Sequence, residues 1–478
     1  MAQASEHASL RDQQNVAILL PWVMAVAVEL ALFAAVVFAI FGIEDILLDA
    51  LRVSSISKWR QPPVYAHTLI RRHFAIFVPA WRESGVVGAM LQSLSRAWQG
   101  HDIRIYVGIY PNDLATALAV RAAAGRDDRI HIVVNHEAGP TTKGACLNRL
   151  WRACRADQKA GAFLPDAVLL HDAEDVVDSS ELAVLSEALE THDYAQIPVE
   201  PIVDTQSWWI SGHYCDEFAE AHSKDLPVRS MLGLALPLAG VGCAFRMDAL
   251  ANMADRDGPF RADSLTEDYE LGLRLGAAGA RGIFTCRRTI DGRRVASRGY
   301  FPDTIDQAVR QKTRWLRGIS FDAWDRLGWE NGPCRTRWQA LAGHWMLWRD
   351  RRAVVAALAI LCGYCALILT VFVQLQSAPL LRDAVLAHPA ISTLFTFNLT
   401  LMIWRVAVRT LCVASVYGWS HVPISVLRIP VGNIILVMTA WRALLGYVRG
   451  RGGVVAVWDK TDHRFPAPSR MTAKEMVR

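Results

Sequence analysis

The chain has 478 residues, of which 52% are hydrophobic and 17 are tryptophan, and it carries a formal net charge of +5. It is long enough for more than one folding unit and too apolar for an ordinary water-soluble enzyme. The charge is modest and no Lys/Arg-rich run is interleaved with aromatics, so nucleic acid is not an expected partner.

The first long apolar run is "VAILLPWVMAVAVELALFAAVVFAIFGI" at 16–43, with Glu29 as its one charge. Its length predicts a membrane-spanning helix within residues 1–50. A cleaved signal peptide fits less well, because the run is too long, its basic start is Arg11 alone and no small-residue cleavage site follows. Glu29 is expected either to have a function, facing other helices, or to be a carboxyl kept protonated or partnered in the bundle. Arg52, Lys58, Arg60, Arg71 and Arg72 follow the run, so the next segment should be cytoplasmic and the N-terminus outside.

From 65 to 330 the pattern changes to that of a water-facing α/β domain. "HFAIFVPA" (73–80), "IRIYVGIYP" (103–111), "IHIVVN" (130–135) and "AVLLHDAEDVV" (167–177) predict strands. "SGVVGAMLQSLSRAW" (84–98), "ATALAVRAAAG" (115–125) and "TKGACLNRLWRACRA" (142–156) predict the helices between them. The alternation implies a parallel, Rossmann-like sheet, whose ligands bind beyond the carboxyl ends of the strands. Chemistry-bearing residues do come after the strands: Glu83 after the first, Lys143 and Asn148 after the third, and Asp172, Glu174 and Asp175 after the fourth. Clustered carboxylates at a strand end suit a hard cation such as Mg²⁺ or Mn²⁺, or else a solvated acidic turn. Thr266, Glu267 and Asp268 stand at a helix start, where Thr266 suits an N-cap and the acids suit the first turn. Asp268 is alternatively a general base, if it points into a cleft. Gly240 and Gly242 in "GVGCAF" permit a tight turn or a close backbone approach. In "RQKTRWLRGIS" (310–320), Gln311, Arg314 and Trp315 share one helical face.

Beyond 330 the chain is apolar again. "AVVAALAILCGYCALILTVFVQL" (353–375) reads as a span. "AISTLFTFNLTLMIW" (390–404) begins another, whose continuation Arg405 and Arg409 are expected to interrupt, and "IPVGNIILVMTAWRALLGYV" (429–448) is a third apolar piece. The basic residues of 449–478 (Arg449, Arg451, Lys460, Arg464, Arg470, Lys474, Arg478) make that tail cytoplasmic, which requires an even number of crossings after the middle domain. Two spans, with one piece near 405–445 lying in the interface, satisfy it. The nine cysteines are scattered, and no disulfide framework is expected in a cytoplasmic segment. Cys362 and Cys365 fall inside a span, where they read as packing residues.

Asp172-x-Glu174, Thr266-Glu267-Asp268 and Gln311-x-x-Arg314-Trp315, in that order and between apolar spans, resemble the D, DxD, TED, QxxRW pattern of processive family 2 glycosyltransferases, the cellulose and hyaluronan synthases. "SGHYCDEFAEAHSKDLPVRSMLG" (211–233), "GVGCAFRMDAL" (240–250) and "VWDKTDHRFP" (457–466) look like the glycosyltransferase part of the phage adsorption protein B family, so the likeness covers roughly 15–470. It implies an α/β fold: a Rossmann-like GT-A glycosyltransferase domain inserted between transmembrane helices, in a multi-pass protein of the bacterial inner membrane. By the same resemblance Glu83, Asp113 and Lys143 would contact the nucleotide, Asp172 and Glu174 would hold Mg²⁺ or Mn²⁺ on the diphosphate, and Asp268 would be the base. Gln311 and Arg314 would face the diphosphate, and Trp315 the acceptor sugar. The implied partners are a nucleotide-sugar donor (expected to be a UDP-sugar), a polysaccharide acceptor, membrane lipid, and a periplasmic or outer-membrane export partner. The rival expectations are transfer of a single sugar to a lipid carrier and a degenerate membrane scaffold in phage adsorption. Two departures stand out: Glu174 replaces the second Asp of DxD, and the chain stops at Arg478, where many relatives carry a further domain implicated in cyclic-dinucleotide sensing. Such control is expected to need another subunit.

Overall fold

Strand β1 (Phe74–Pro79) is buried along its whole length, as its unbroken apolar sequence demands of a strand covered on both faces. In this computed structural model it pairs in parallel with β2 (Ile103–Ile109) on one side and with β4 (Ala167–Leu170) on the other. β2 in turn pairs in parallel with β3 (Ile130–Val134). Helices α2 (Val87–Ala97), α3 (Leu114–Ala124) and α4 (Lys143–Lys159) make the connections, so the first half of the domain is the alternating unit read from the sequence. The structure describes residues 2–55, 62–64, 70, 72–329, 332–333, 336–375, 388–450 and 463–466, with only the backbone described for 2–18 and 55.

The second half departs from an all-parallel sheet. After α5 (Glu181–Thr191) come β5 (Tyr194–Gln196), β6 (Val199–Pro201), α6 (Ile210–Glu220), α7 (Leu226–Met231) and then β7 (Cys243–Arg246). β7 runs antiparallel between β4 and β5, and β8 (Gly282–Phe284) closes the sheet beside β5. The strand order is β3-β2-β1-β4-β7-β5-β8, and β6 forms a separate parallel pair with β9 (Ser297–Gly299). The reversal places Cys243, the first residue of β7, opposite Leu170, the last of β4. The segment entering β7 therefore shares one edge of the sheet with the segment leaving β4, and the Gly242 N–H donates to the Leu170 carbonyl at 3.0 Å.

The remaining elements are α8 (Met247–Met253), α9 (Glu267–Ala277), α10 (Ile305–Arg317), α11 (Ala323–Leu327), α12 (Arg337–Arg351), α13 (Ala353–Leu375), α14 (Pro389–Tyr417), α15 (Val422–Leu427) and α16 (Ile429–Gly450). Contacts divide the chain into two units, one of residues 1–50 and 352–411, the other of 51–351 and 412–478. In the second unit two apolar clusters cover the two faces of the large sheet, one including Phe74, Ile76 and Trp98, the other Phe77, Leu147 and Phe245. α10 turns Ala308 and Val309 into a third cluster with Tyr214 of α6 and Ile435 of α16.

In the first unit, α1 (Ala2–Ser55) is one helix that extends beyond the 16–43 run at both ends. Four helical stretches are long and apolar enough to cross a membrane: Leu19–Ser54, Ala353–Leu375, Pro389–Tyr417 and Ile429–Gly450. Arg405 does not end its helix, contrary to the sequence expectation, because Asp45 on α1 pairs with it. Asp45 also takes Arg352 at 2.9 Å. A charged group on an apolar helix is tolerated when a neighbouring helix supplies its counter-ion. Glu29, expected to turn toward other helices, is instead exposed on α1. Lys58, Arg60, Arg71, Arg451, Lys460, Arg470, Lys474 and Arg478, on which the expected orientation partly rests, lie outside the described residues, as does most of the 449–478 tail.

Candidate active site

One cleft opens where the carboxyl ends of β1 and β4 meet the turn entering β7. Its lining includes Glu83, Lys143, Asp172, Glu174, Asp268, Gln311, Arg314 and Trp315. These are eight of the nine residues to which the family resemblance gives a site role. The ninth, Asp113, lies elsewhere: its carboxylate caps α3, accepting from the Thr116 N–H at 3.3 Å, and also accepts from the Arg82 N–H at 2.6 Å. Asp113 thus holds the loop that carries Glu83 and is not itself part of the lining.

The 172–175 turn is set from beneath. His171, fully buried, presents Nδ1 to Asp175 at 2.9 Å and Nε2 to Glu181 at 3.0 Å. Burial opposes its charge, but the two carboxylates outweigh it and raise the imidazole to about 10. Asp175 then accepts from the Asp172 N–H at 3.0 Å, which closes the turn. Nothing in the strand pattern flagged His171. Its signal was its place, one residue before the acids and inside a buried strand end.

Above that turn the acids part company. Lys143, at the first position of α4, sits 2.6 Å from Asp172 and 4.0 Å from Glu267. Thr142 fixes that end of α4, accepting from the Ala145 N–H and donating to the Ala262 carbonyl. Burial would lower the Lys143 ammonium, yet Asp172, Glu267 and Asp268 together raise it above the usual lysine value. Glu174 points the other way. His463, 380 residues along the chain from Glu83, places Nδ1 2.9 Å from Glu83 and 3.3 Å from Glu174. Burial pushes the Glu174 carboxyl up to about 8; His463 opposes this, while the Asp172 and Glu83 charges add to it. The donor atoms of Glu83, Glu174 and His463 lie within 4.8 Å of one another, a set of hard oxygens and one imidazole that fits a divalent cation. Sequence reasoning missed His463, although "VWDKTDHRFP" contains it.

The other wall comes from α9 and α10. Thr266 occupies the N-cap position of α9, but its hydroxyl, expected to cap, bonds no backbone N–H. Asp268 Oδ1 accepts from the Tyr269 N–H at 2.8 Å, and burial raises its carboxyl above the usual range against the pull of Lys143. Glu267 is raised to about 7 by burial and by Asp268. Gly240 enters β7 with φ of +74°, and a methyl group there would lie 2.6 Å from Asp268 Oδ2. A glycine at 240 therefore serves both the left-handed turn and the room Asp268 needs. On α10, Trp315 packs edge-on against Tyr214 and Phe301, with ring centres 6.1 and 6.4 Å apart, which fixes its indole at the cleft beside Arg314.

The family model described as "Glycosyltransferase like family 2" matches residues 71–318. The bacteriophage adsorption protein B of Escherichia coli (strain K12) is 34% identical over 470 residues, covering 92% of this chain and 62% of that protein. The bacteriophage N4 adsorption protein B of Escherichia coli O157:H7 matches to the same extent. The chain thus spans less than two thirds of the length of these curated relatives. Among solved structures, a mannosyltransferase from Pyrobaculum calidifontis in complex with GDP-Man and Mn²⁺ superposes with a TM-score of 0.48 at 15% identity, covering 85% of this chain and 98% of that one. The glucosyl-3-phosphoglycerate synthase of Mycobacterium tuberculosis gives 0.34 at 16%, covering 58% and 88%. The α/β domain with its acid-lined cleft is the part of the molecule that the family model matches, and the chain belongs to the glycosyltransferase like family 2.

Proposed function

We propose that the chain is an inverting glycosyltransferase of the bacterial inner membrane, with its catalytic domain (65–330) in the cytoplasm. It moves a sugar from a nucleotide-sugar, of the UDP class, onto a growing polysaccharide whose export is coupled to synthesis. Residues 1–50 and helices within 331–448 anchor the domain, and the basic 449–478 tail stays cytoplasmic. The observation that carries the proposal is the convergence of Lys143, the 172–174 acids, Asp268 and the Gln311–Arg314–Trp315 face on one cleft.

Each residue has work there. Asp268 takes a proton from an acceptor hydroxyl, and its burial-raised carboxyl is the better base for it. The freed oxygen attacks the anomeric carbon in line, and the bond to the diphosphate breaks with its electron pair leaving on the nucleotide. Arg314 and Lys143 face that growing charge, Arg314 with the paired donors that suit phosphate. Trp315, held by its aromatic neighbours, offers a flat apolar face to the acceptor ring. Glu174 and Asp172 are the carboxylates that would hold Mg²⁺ or Mn²⁺, which would supply Lewis-acid neutralisation of the diphosphate. Asp172 is matched by Lys143, which leaves Glu174 the better placed of the two.

The test is nucleoside diphosphate release by the purified chain in nanodiscs, across a panel of UDP- and GDP-sugars with Mn²⁺ or Mg²⁺. Release from one donor, abolished by EDTA, is expected. Silence across the panel from folded protein would sink the proposal in favour of a scaffold. A product of one added sugar on a lipid carrier would replace the polymer reading with single-sugar transfer.

A further inference from the structure

Outside the cleft lining lies a second charged cluster. Arg229, on α7, is 4% exposed, and its Nη1 donates to both oxygens of Asp350, on α12, at 2.8 and 2.9 Å. Burial opposes the guanidinium's charge, but Asp350 more than offsets it and raises the group above its ordinary value. The Tyr269 hydroxyl, on α9, donates to the same carboxylate at 2.9 Å. Three elements that are distant in sequence thus meet on Asp350.

Two arms lead from that carboxylate to Asp268. The first is Tyr269, the residue after the proposed base. Its ring is buried with Leu273, Ala323 and Leu347, and its N–H is the donor to Asp268 Oδ1. The second arm is Arg229, whose Nε donates to the Ala235 carbonyl at 2.7 Å. From Ala235 the chain runs along α9 to Gly240. Asp268, Gly272 and Gly276 share one face of that helix, four residues apart. A methyl group at 272 or 276 would collide with Leu236 or Ala235, so the strip can lie directly on the helix. The Leu236 N–H donates to the Tyr194 hydroxyl at 3.2 Å, which donates to the Gly272 carbonyl at 3.3 Å. The strip ends at Gly240, against Asp268 Oδ2. One oxygen of Asp268 is therefore set by Tyr269 and the other is walled by the 235–240 strip, and both are tied to Asp350.

We propose that Asp350 is a positioning residue for the base, fixing where the Asp268 carboxylate points through Tyr269 on one side and through Arg229 and the 235–240 strip on the other. A displacement of about 1 Å in a reacting group can cost roughly 10²-fold in rate, so a residue that never touches substrate can govern turnover. Asp350 is also the last residue but one of α12, and the division between the two units of the chain falls just after Arg351. The base takes its orientation from the point where the chain leaves the catalytic unit for the apolar helix α13. This inference rests on the reading of Asp268 as the base of a glycosyl transfer.

Nucleoside diphosphate release and donor binding are measured on the full purified chain in nanodiscs, beside carbodiimide labelling of Asp268 read by mass spectrometry. Asp350→Asn removes the charge and keeps the shape. Tyr269→Phe removes one arm and leaves the Arg229–Asp350 pair intact, which covers the case that Asp350→Asn does not fold. Asp350→Asn should lower kcat about tenfold or more, and Tyr269→Phe by a smaller factor, with donor affinity changed less than about threefold. In an Asp268→Asn background neither should lower the residual rate further, whereas a merely structural loss would lower it equally in both backgrounds. Labelling requires no turnover. Loss of the Tyr269 N–H would leave the Asp268 carboxyl protonated more often, so it should react about threefold faster or more in each variant. The exposed Asp102 is the reference whose labelling stays constant. Wild-type kcat in the folded variants, an equal loss in the Asp268→Asn background, or unchanged labelling of Asp268 would each overturn the proposal. Silence in the release assay with faster labelling in the variants would overturn the glycosyltransferase reading and uphold the control of Asp268 by Asp350.

Discussion

Two places in the catalytic unit bury charge, and they do so in opposite ways. Between α6 and the junction of α15 with α16, Asp216 and Arg428 face each other at no more than 2% exposure. The guanidinium donates Nε and Nη2 to the two carboxylate oxygens at 2.8 and 2.6 Å, and Nη1 to the Trp208 carbonyl at 2.9 Å. Charge and hydrogen bonds are matched within that cluster. In the cleft, Glu83, Asp172, Glu174, Glu267 and Asp268 crowd around Lys143, Arg314 and His463, and burial raises Glu174, Glu267 and Asp268 above the ordinary carboxylate range. A matched pair holds two elements together. A surplus of one sign, held in a cleft and with its carboxyls raised, marks a candidate binding site.

The contrast can be broken on either side. Asp268→Asn keeps the shape and removes the proposed base, so turnover should fall about 10²–10⁴-fold with donor binding nearly unchanged. Single-turnover rates beside equilibrium donor binding would check it, and near wild-type turnover would refute the assignment. Asp216→Ala strands the Arg428 charge and should cost about 3–5 kcal/mol of stability, measured by denaturant unfolding. A double replacement by apolar residues of similar volume should recover most of that loss. Gly240→Ala meets both a left-handed backbone and Asp268; it should cost about 1–2 kcal/mol and lower turnover more than that loss of folded protein explains.

The smallest effect concerns pH. Glu174 is pushed up to about 8 when folded, against the ordinary 4.5 that an unfolded chain would show. Its raised value means that the folded state holds the proton more tightly, so this group favours folding at low pH and the benefit is lost as pH rises through about 8. In metal-free protein Glu174→Gln should therefore raise the melting temperature at pH 9, with the gain vanishing below about pH 4.5. An equal gain at both pH values would show that Glu174 is not held in this way.

Much of this was legible in advance because it rests on local pattern. The four parallel strands and three connecting helices are marked by short apolar runs ended by Gly, Pro or Asn, and Glu83, Lys143, Asp172 and Glu174 by their place just beyond strands, whereas Asp268 and the Gln311–Arg314–Trp315 face were given site roles through the family resemblance. The reversed strand β7 was not legible, since Cys243–Arg246 is four residues without a period to distinguish parallel from antiparallel. The continuation of α14 past Arg405 depended on Asp45, 360 residues away. Asp113 had the right position after its strand, but a turn residue one place before a helix serves equally as its cap. His463 was hidden by distance, because a residue supplied to the cleft after three intervening apolar helices in the sequence leaves no spacing to read.

That distance also has a meaning in time. The ribosome finishes α10 long before it reaches His463, with α13, α14 and α16 emerging in between. At about 5–20 residues per second, the interval is on the order of ten seconds. Throughout it the nascent domain has its sheet, Asp268 and the Gln311–Arg314–Trp315 face but lacks the imidazole beside Glu83 and Glu174. A chain still being made carries the cleft acids for that interval without the histidine that stands beside two of them.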